Sequence, residues 1–149
     1  MAANPSLKTV LVWLCRLISG GVYFGAGAVK IFDPQAFAAD IGHYHLLPYP
    51  LTLVVGVYLP WLELVCGSAV LIGRLERGAL LILVGLCGLF CAALASAWLR
   101  SLDIDCGCFG HAATTTLPVA LIRSVTLGLV SLFLLHCNRN GRLHRSIAL

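Results

Sequence analysis

From Gly78 to Leu99 the chain reads GALLILVGLCGLFCAALASAWL, twenty-two residues without one charged side chain. About 20 residues of helix cross the hydrocarbon core of a bilayer. Within lipid a lone segment can satisfy its backbone polar groups only as a helix. This run therefore predicts a transmembrane helix, and the same reasoning finds three more. They cover Val10–Ile31, Pro50–Gly73 and Leu117–His136. The whole chain agrees: of 149 residues, 60% are hydrophobic and 11% charged, with a mean hydropathy of +0.96. Such a chain cannot cover itself with polar surface, which excludes a soluble domain. The expected fold is an all-α integral membrane protein, a single four-helix transmembrane domain over residues 1–149. The partner that composition demands is the lipid bilayer, not a nucleic acid.

The net charge of +4 says less than its distribution. Lys8, Arg74, Arg77, Arg139, Arg142 and Arg145 fall beside the spans on one side, and Lys30 and Arg100 on the other. The basic side should be cytoplasmic, with both termini inside. In the first span, Ala26-Gly27-Ala28 has the look of a cleavage site. Arg16 interrupts the apolar core that a leader would need, so a retained helix is expected. Gly21 and Gly25, one turn apart, predict close approach of another helix.

Between the third and fourth spans lies the one stretch dense in chemistry, Asp103-Ile104-Asp105-Cys106-Gly107-Cys108-Phe109-Gly110. Glycine between the cysteines allows the tight turn that a bond between them would require. A disulfide closing so short a loop should be strained and easily reduced, and it would add little stability as a staple. Redox exchange is therefore the favoured reading of Cys106 and Cys108. Their predicted outer location suits it, because disulfides persist outside the cytoplasm. Asp103 and Asp105 disfavour thiolates by like-charge repulsion, whereas Arg100 and Arg123 favour them. The balance is not decided by the sequence. The other cysteines (Cys15, Cys66, Cys87, Cys91, Cys137) sit in or beside apolar runs and read as small apolar filling. Cys87 and Cys91 share a helix face, but helix geometry keeps their backbones too far apart for a bond.

The first loop, Phe32–Tyr49, carries Phe37, Ile41 and Tyr44 at helical spacing, which predicts a short interfacial helix. His43 and His45 lack a third ligand and read as interfacial. Pro60 lies inside the second span and should kink it. Glu63, also inside that span, needs a partner or a cavity. At about 1.5 Å per residue Arg16 and Glu63 lie about 10 and 15 Å in from one face, which predicts an ion pair between them. The alternative is a protonated Glu63 facing a cavity.

These residues carry a likeness. Gly27-Ala28-Val29-Lys30-Ile31 with Asp33-Pro34 and Phe37, then Tyr44 with Leu47-Pro48, Pro60-Trp61-Leu62-Glu63 and Asp105-Cys106-Gly107-Cys108-Phe109-Gly110 resemble the DoxX-like membrane proteins. The resemblance is nearest to their methylamine-utilisation MauE branch and spans all four helices. It implies thiol–disulfide chemistry on the outer face of the bacterial inner membrane, beside a thioredoxin-like protein. The implied client is the disulfide-rich small subunit of methylamine dehydrogenase. The bundle is also similar to the vitamin K epoxide reductase family, whose outer cysteines pass electrons to a quinone. This chain departs from that family: its thiols are Cys-x-Cys, and the first loop has no shuttle cysteines. The resulting expectation is a membrane thiol–disulfide oxidoreductase with Cys106 and Cys108 as the exchanging pair. No cofactor is fixed by a motif, no resident metal is expected, and a quinone is the candidate acceptor. The competing readings are an assembly scaffold with a fixed Cys106–Cys108 turn, or a Cu(I)-handling protein using both thiolates and His111.

Overall fold

A computed structural model describes residues 7–73, 75–100 and 116–146. The described residues form five helices: α1 (Leu7–Phe32), α2 (Pro34–His43), α3 (Tyr49–Ile72), α4 (Glu76–Leu99) and α5 (Leu117–Ser146). All but α2 are long and apolar enough to cross a membrane, with spanning segments Thr9–Phe32, Tyr49–Ile72, Glu76–Leu99 and Leu117–Asn138. The chain is a multi-pass membrane protein. The expected spans match these to within a residue or two, except at the end of α5. That helix runs on to Ser146 because its polar tail continues the helix after the apolar run has ended.

Local chemistry sets the helix ends. Asp33 caps α2: its Oδ1 accepts the Ala36 N–H at 2.9 Å, and Pro34 fills the first turn, where its missing N–H costs nothing. The expected short helix is thus present, with Phe37 and, just past its end, Tyr44 buried against the bundle. α3 passes through Pro60 without a break. It ends at Gly73, whose φ of 77° is the left-handed conformation glycine adopts without a side-chain clash. α5 starts as its Thr116-Leu117-Pro118 sequence suggests, the Thr116 carbonyl accepting the Ala120 N–H at 3.1 Å.

α1 packs chiefly on α3 and α4 on α5, while α2 lies against α3. Val70, Leu80, Leu83 and Leu134 fill the interior, and Trp61, Ile122 and Leu129 are among the apolar side chains facing outward to lipid. Lipid is as apolar as leucine, so association within the bundle rests on close packing and polar cross-links. Ser19 and Ser131 make one such link, 3.2 Å apart between α1 and α5. Among the described residues no buried side-chain nitrogen or oxygen lacks a partner.

The close helix approach does occur, but on another face than expected. A Cβ on Gly21 or Gly25 would meet nothing within 4 Å, whereas one on Gly67 would lie 2.7 Å from the Phe24 backbone nitrogen. One on Gly27 would lie 2.7 Å from the Pro60 carbonyl oxygen. Successive residues are rotated by about 100°, so the face bearing Gly20 and Gly27 meets α3 while that of Gly21 and Gly25 turns away. Gly67→Ala should therefore cost about 1–3 kcal/mol through overpacking against rigid backbone. Gly21→Ala should be neutral or mildly stabilising. Denaturant unfolding in detergent measures the contrast, and equal effects would disprove the packing.

Candidate functional site

At the α2 end of the bundle the helices border a half-open cavity of about 450 Å³. Val22 and Ala26 from α1, Val55 and Leu59 from α3, and Leu86 and Phe90 from α4 form much of its apolar wall. α2 lies along it and contributes Phe37, Asp40 and Ile41, with Tyr44 just past its end. Its charged lining consists of Lys30, Glu63, Asp40 and Arg123, joined by Tyr23, Tyr44 and Cys87. α2 keeps its place because Gly56 of α3 admits it closely, a Cβ there lying 2.7 Å from that of Ala38.

Lys30 and Glu63 form the cavity's central polar feature. The Lys30 ammonium donates to both Glu63 oxygens, at 2.9 and 2.8 Å. It also lies 4.6 Å from the centroid of the Phe37 ring. Their side chains are only 7% and 13% exposed, so each charge depends on the other in an apolar setting.

This pairing replaces the expected Arg16–Glu63 bridge. That expectation started both helices from a common plane, but α3 projects beyond α1 by about two turns, alongside α2. Gly27 lies level with Pro60–Leu64, Gly20 with Gly67 and Leu71, and Arg16 reaches Gly73. Glu63 therefore lies beside Lys30, and Arg16 lies about 21 Å further down α1 from Lys30. Arg16 instead engages Glu76 at the start of α4. Its Nε donates to Oε1 at 3.1 Å and its Nη2 to Oε2. Asn138 Nδ2 donates to the same carboxylate at 3.0 Å, and Arg77 Nη2 donates to the Asn138 carbonyl at 3.0 Å. This cluster ties α1, α4 and α5 together at the end opposite α2.

A second polar group lies deeper in the cavity wall. Tyr23 Oη and Cys87 Sγ are 2.8 Å apart, and the Cys87 thiol donates to the Ser124 carbonyl at 3.5 Å. A carbonyl can only accept, so the single thiol proton goes there and the Tyr23 hydroxyl donates to sulfur. Cys91 donates to Ser124 Oγ at 3.4 Å. Both cysteines are free thiols, in keeping with the separation helix geometry imposes. Cys87 is nonetheless more than apolar filling, because it holds Tyr23 at the cavity wall.

The model of one protein family, described as Methylamine utilisation protein MauE, matches residues 8–136. The chain belongs to the MauE family. No curated protein and no solved structure matches it. The MauE match includes all but the first residue of α1, all of α2 to α4, all but the last two residues of the membrane-spanning part of α5, every residue lining the cavity and the stretch carrying the Cys-Gly-Cys sequence.

Of the site residues expected from the sequence, Glu63 and Arg123 line the cavity of this MauE protein. Arg100 donates to the Tyr44 carbonyl and so fastens the end of α4 to the end of α2. Asp103, Asp105, Cys106 and Cys108 lie outside the described residues, as does His111. Their flanks, Arg100 and Thr116, lie at the α2 end with the cavity. Among the described residues no three His, Cys, Asp or Glu side chains gather as a metal site. Sequence reasoning missed Lys30, Asp40, Tyr23 and Cys87 as cavity residues. Lys30 carried a signal, being a cation at the end of an apolar run, but it reads equally as a flanking charge. Tyr23 and Cys87 carried none, because both are ordinary residues of a helix interior.

Proposed function

We propose that this MauE-family protein is a membrane thiol–disulfide oxidoreductase acting through Cys106 and Cys108 on the periplasmic side of the bacterial inner membrane. The observation that carries the reading is the Cys106-Gly107-Cys108 pair itself, set in the polar stretch Asp103–Gly110 of an otherwise apolar chain. Permanent staples gain little from so short a loop, whereas exchange requires two sulfurs within reach of each other. The flanks of the stretch lie at the same end as the cavity, which supports a common working face.

The exchange balances as follows. A thiolate of a thioredoxin-like partner attacks the Cys106–Cys108 bond, forming a mixed disulfide and releasing one cysteine as a thiolate. The partner's second thiol then attacks the mixed disulfide. The partner leaves with a disulfide, ready to oxidise a client such as the small subunit of methylamine dehydrogenase. Cys106 and Cys108 are left as a dithiol. Two electrons and two protons have entered the membrane protein and must pass to an acceptor.

Burial of Lys30 in its ion pair supports the periplasmic assignment. It removes one of the two cations counted on the outer side and leaves Arg100 against six on the other. A membrane-impermeant maleimide applied to intact cells tests compartment and chemistry together. Labelling at Cys106 and Cys108 should rise sharply after a mild reductant, without permeabilisation. Labelling that requires permeabilisation would refute the orientation, and labelling indifferent to reductant would refute the disulfide.

A further inference from the structure

The cavity beneath α2 has the character of a site for a neutral, ring-bearing lipid. Its volume of about 450 Å³ lies within the range of about 300–1,000 Å³ usual for small-molecule sites. It lies among helices long and apolar enough to span the membrane, which places a molecule dissolved in the bilayer beside it. Its charged lining is balanced, Lys30 and Arg123 against Glu63 and Asp40. An anionic headgroup would meet two carboxylates there, and a cationic one two cations. A neutral molecule with acceptor oxygens avoids both penalties. Lysine has three N–H donors; Glu63 takes two of those on Lys30, and the third is the one a ligand oxygen would take in competition with the Phe37 ring, which lies 4.6 Å from the ammonium. Phe37, Tyr44 and Phe90 supply aromatic surface for a ring.

We propose that the cavity binds the ring of a membrane quinone, with one carbonyl oxygen held by Lys30 and the tail leaving toward lipid. This rests on the oxidoreductase reading for its purpose: the exchanging dithiol needs a two-electron acceptor, and a quinone supplies one within the membrane. In the net step two thiols and one quinone become one disulfide and one hydroquinone. Two electrons and two protons move from sulfur to the quinone. Lys30 and Glu63 are positioning residues in this account, and Tyr23, held by Cys87, closes the inner wall.

The test is equilibrium binding of decylubiquinone to the full-length protein in phosphatidylcholine nanodiscs, with photo-crosslinking by an azido-quinone in the unaltered chain. Saturable binding is expected, with crosslinks on the α1, α3 and α4 segments that line the cavity. Ala93→Phe, which fills the space, should weaken binding at least tenfold, as should Lys30→Met with Glu63→Leu, which removes both charges together. The Cys106→Ser, Cys108→Ser double variant should bind as tightly as the parent, because the site does not include those sulfurs. Non-saturable uptake, crosslinks confined to the outer lipid-facing surface, or a phospholipid acyl chain that decylubiquinone cannot displace would each overturn the site. Absent quinone binding with partner exchange intact defeats this proposal and leaves the oxidoreductase reading. Binding intact while the double cysteine variant still oxidises clients upholds the site and defeats that reading.

Discussion

Changing either Cys106 or Cys108 to serine should abolish client oxidation while leaving the bundle folded. Exchange needs one sulfur to be attacked and a second to leave, so each single change removes the reaction entirely. Stability is another matter. A bond closing a three-residue loop contributes only about 1.5 kcal/mol in the chain-entropy account. The bundle's cohesion comes instead from the glycine-mediated contact of α1 with α3 and from its buried polar links. Client disulfides scored by alkylation, beside an unfolding curve for each variant, separate the two effects. Cys15, Cys66 or Cys137 changed to Ala should leave exchange intact, as expected of apolar filling. Loss of folding in the serine variants, or unimpaired client oxidation, would contradict the assignment.

The second large effect concerns Lys30 and Glu63. Glu63→Gln strands an ammonium that is only 7% exposed, and removing one partner of a buried pair typically costs about 3–5 kcal/mol. Replacing both, as Lys30→Met with Glu63→Leu, should cost much less, because no charge is then left uncompensated. The comparison is read from denaturant midpoints in the same detergent. If Glu63→Gln were as stable as the parent, the pair would not be holding the two helices at this level. Adding Arg16→Gln should not relieve the loss, since Arg16 engages Glu76 at the far end of the bundle.

The spans were legible because lipid imposes a simple rule, that a long apolar run must be a helix. Gly78–Leu99 obeys it without exception, and α2 was legible from Phe37, Ile41 and Tyr44 at helical spacing. Register was not legible. Nothing in two apolar runs says that α3 projects past α1, and a model with aligned ends therefore chose Arg16 for Glu63. Lys30, counted as a flanking charge at the end of the first span, became the partner once Gly27 was seated against Pro60. Rotation was equally hidden. Gly20 and Gly21 are neighbours in sequence, yet only the first faces α3. The cavity escaped notice because it is built from five helices, and apart from Glu63 and Arg123 most of the residues they contribute are ordinary ones in their own stretches. The requirement that Glu63 face a partner or a cavity was correct on both counts.

Cys106 and Cys108 are proposed to exchange disulfides with a soluble partner. Non-reducing electrophoresis of the Cys106→Ser and Cys108→Ser single variants, with mass spectrometry of any adduct, tests that exchange most directly. One of the two should accumulate a mixed disulfide joining its remaining cysteine to a thioredoxin-like protein, because the thiol that would resolve it is gone. The adduct should disappear on reduction and be absent from the double variant. If neither single variant traps a partner while the partner's own cysteines are intact, the pair is not an exchanging one.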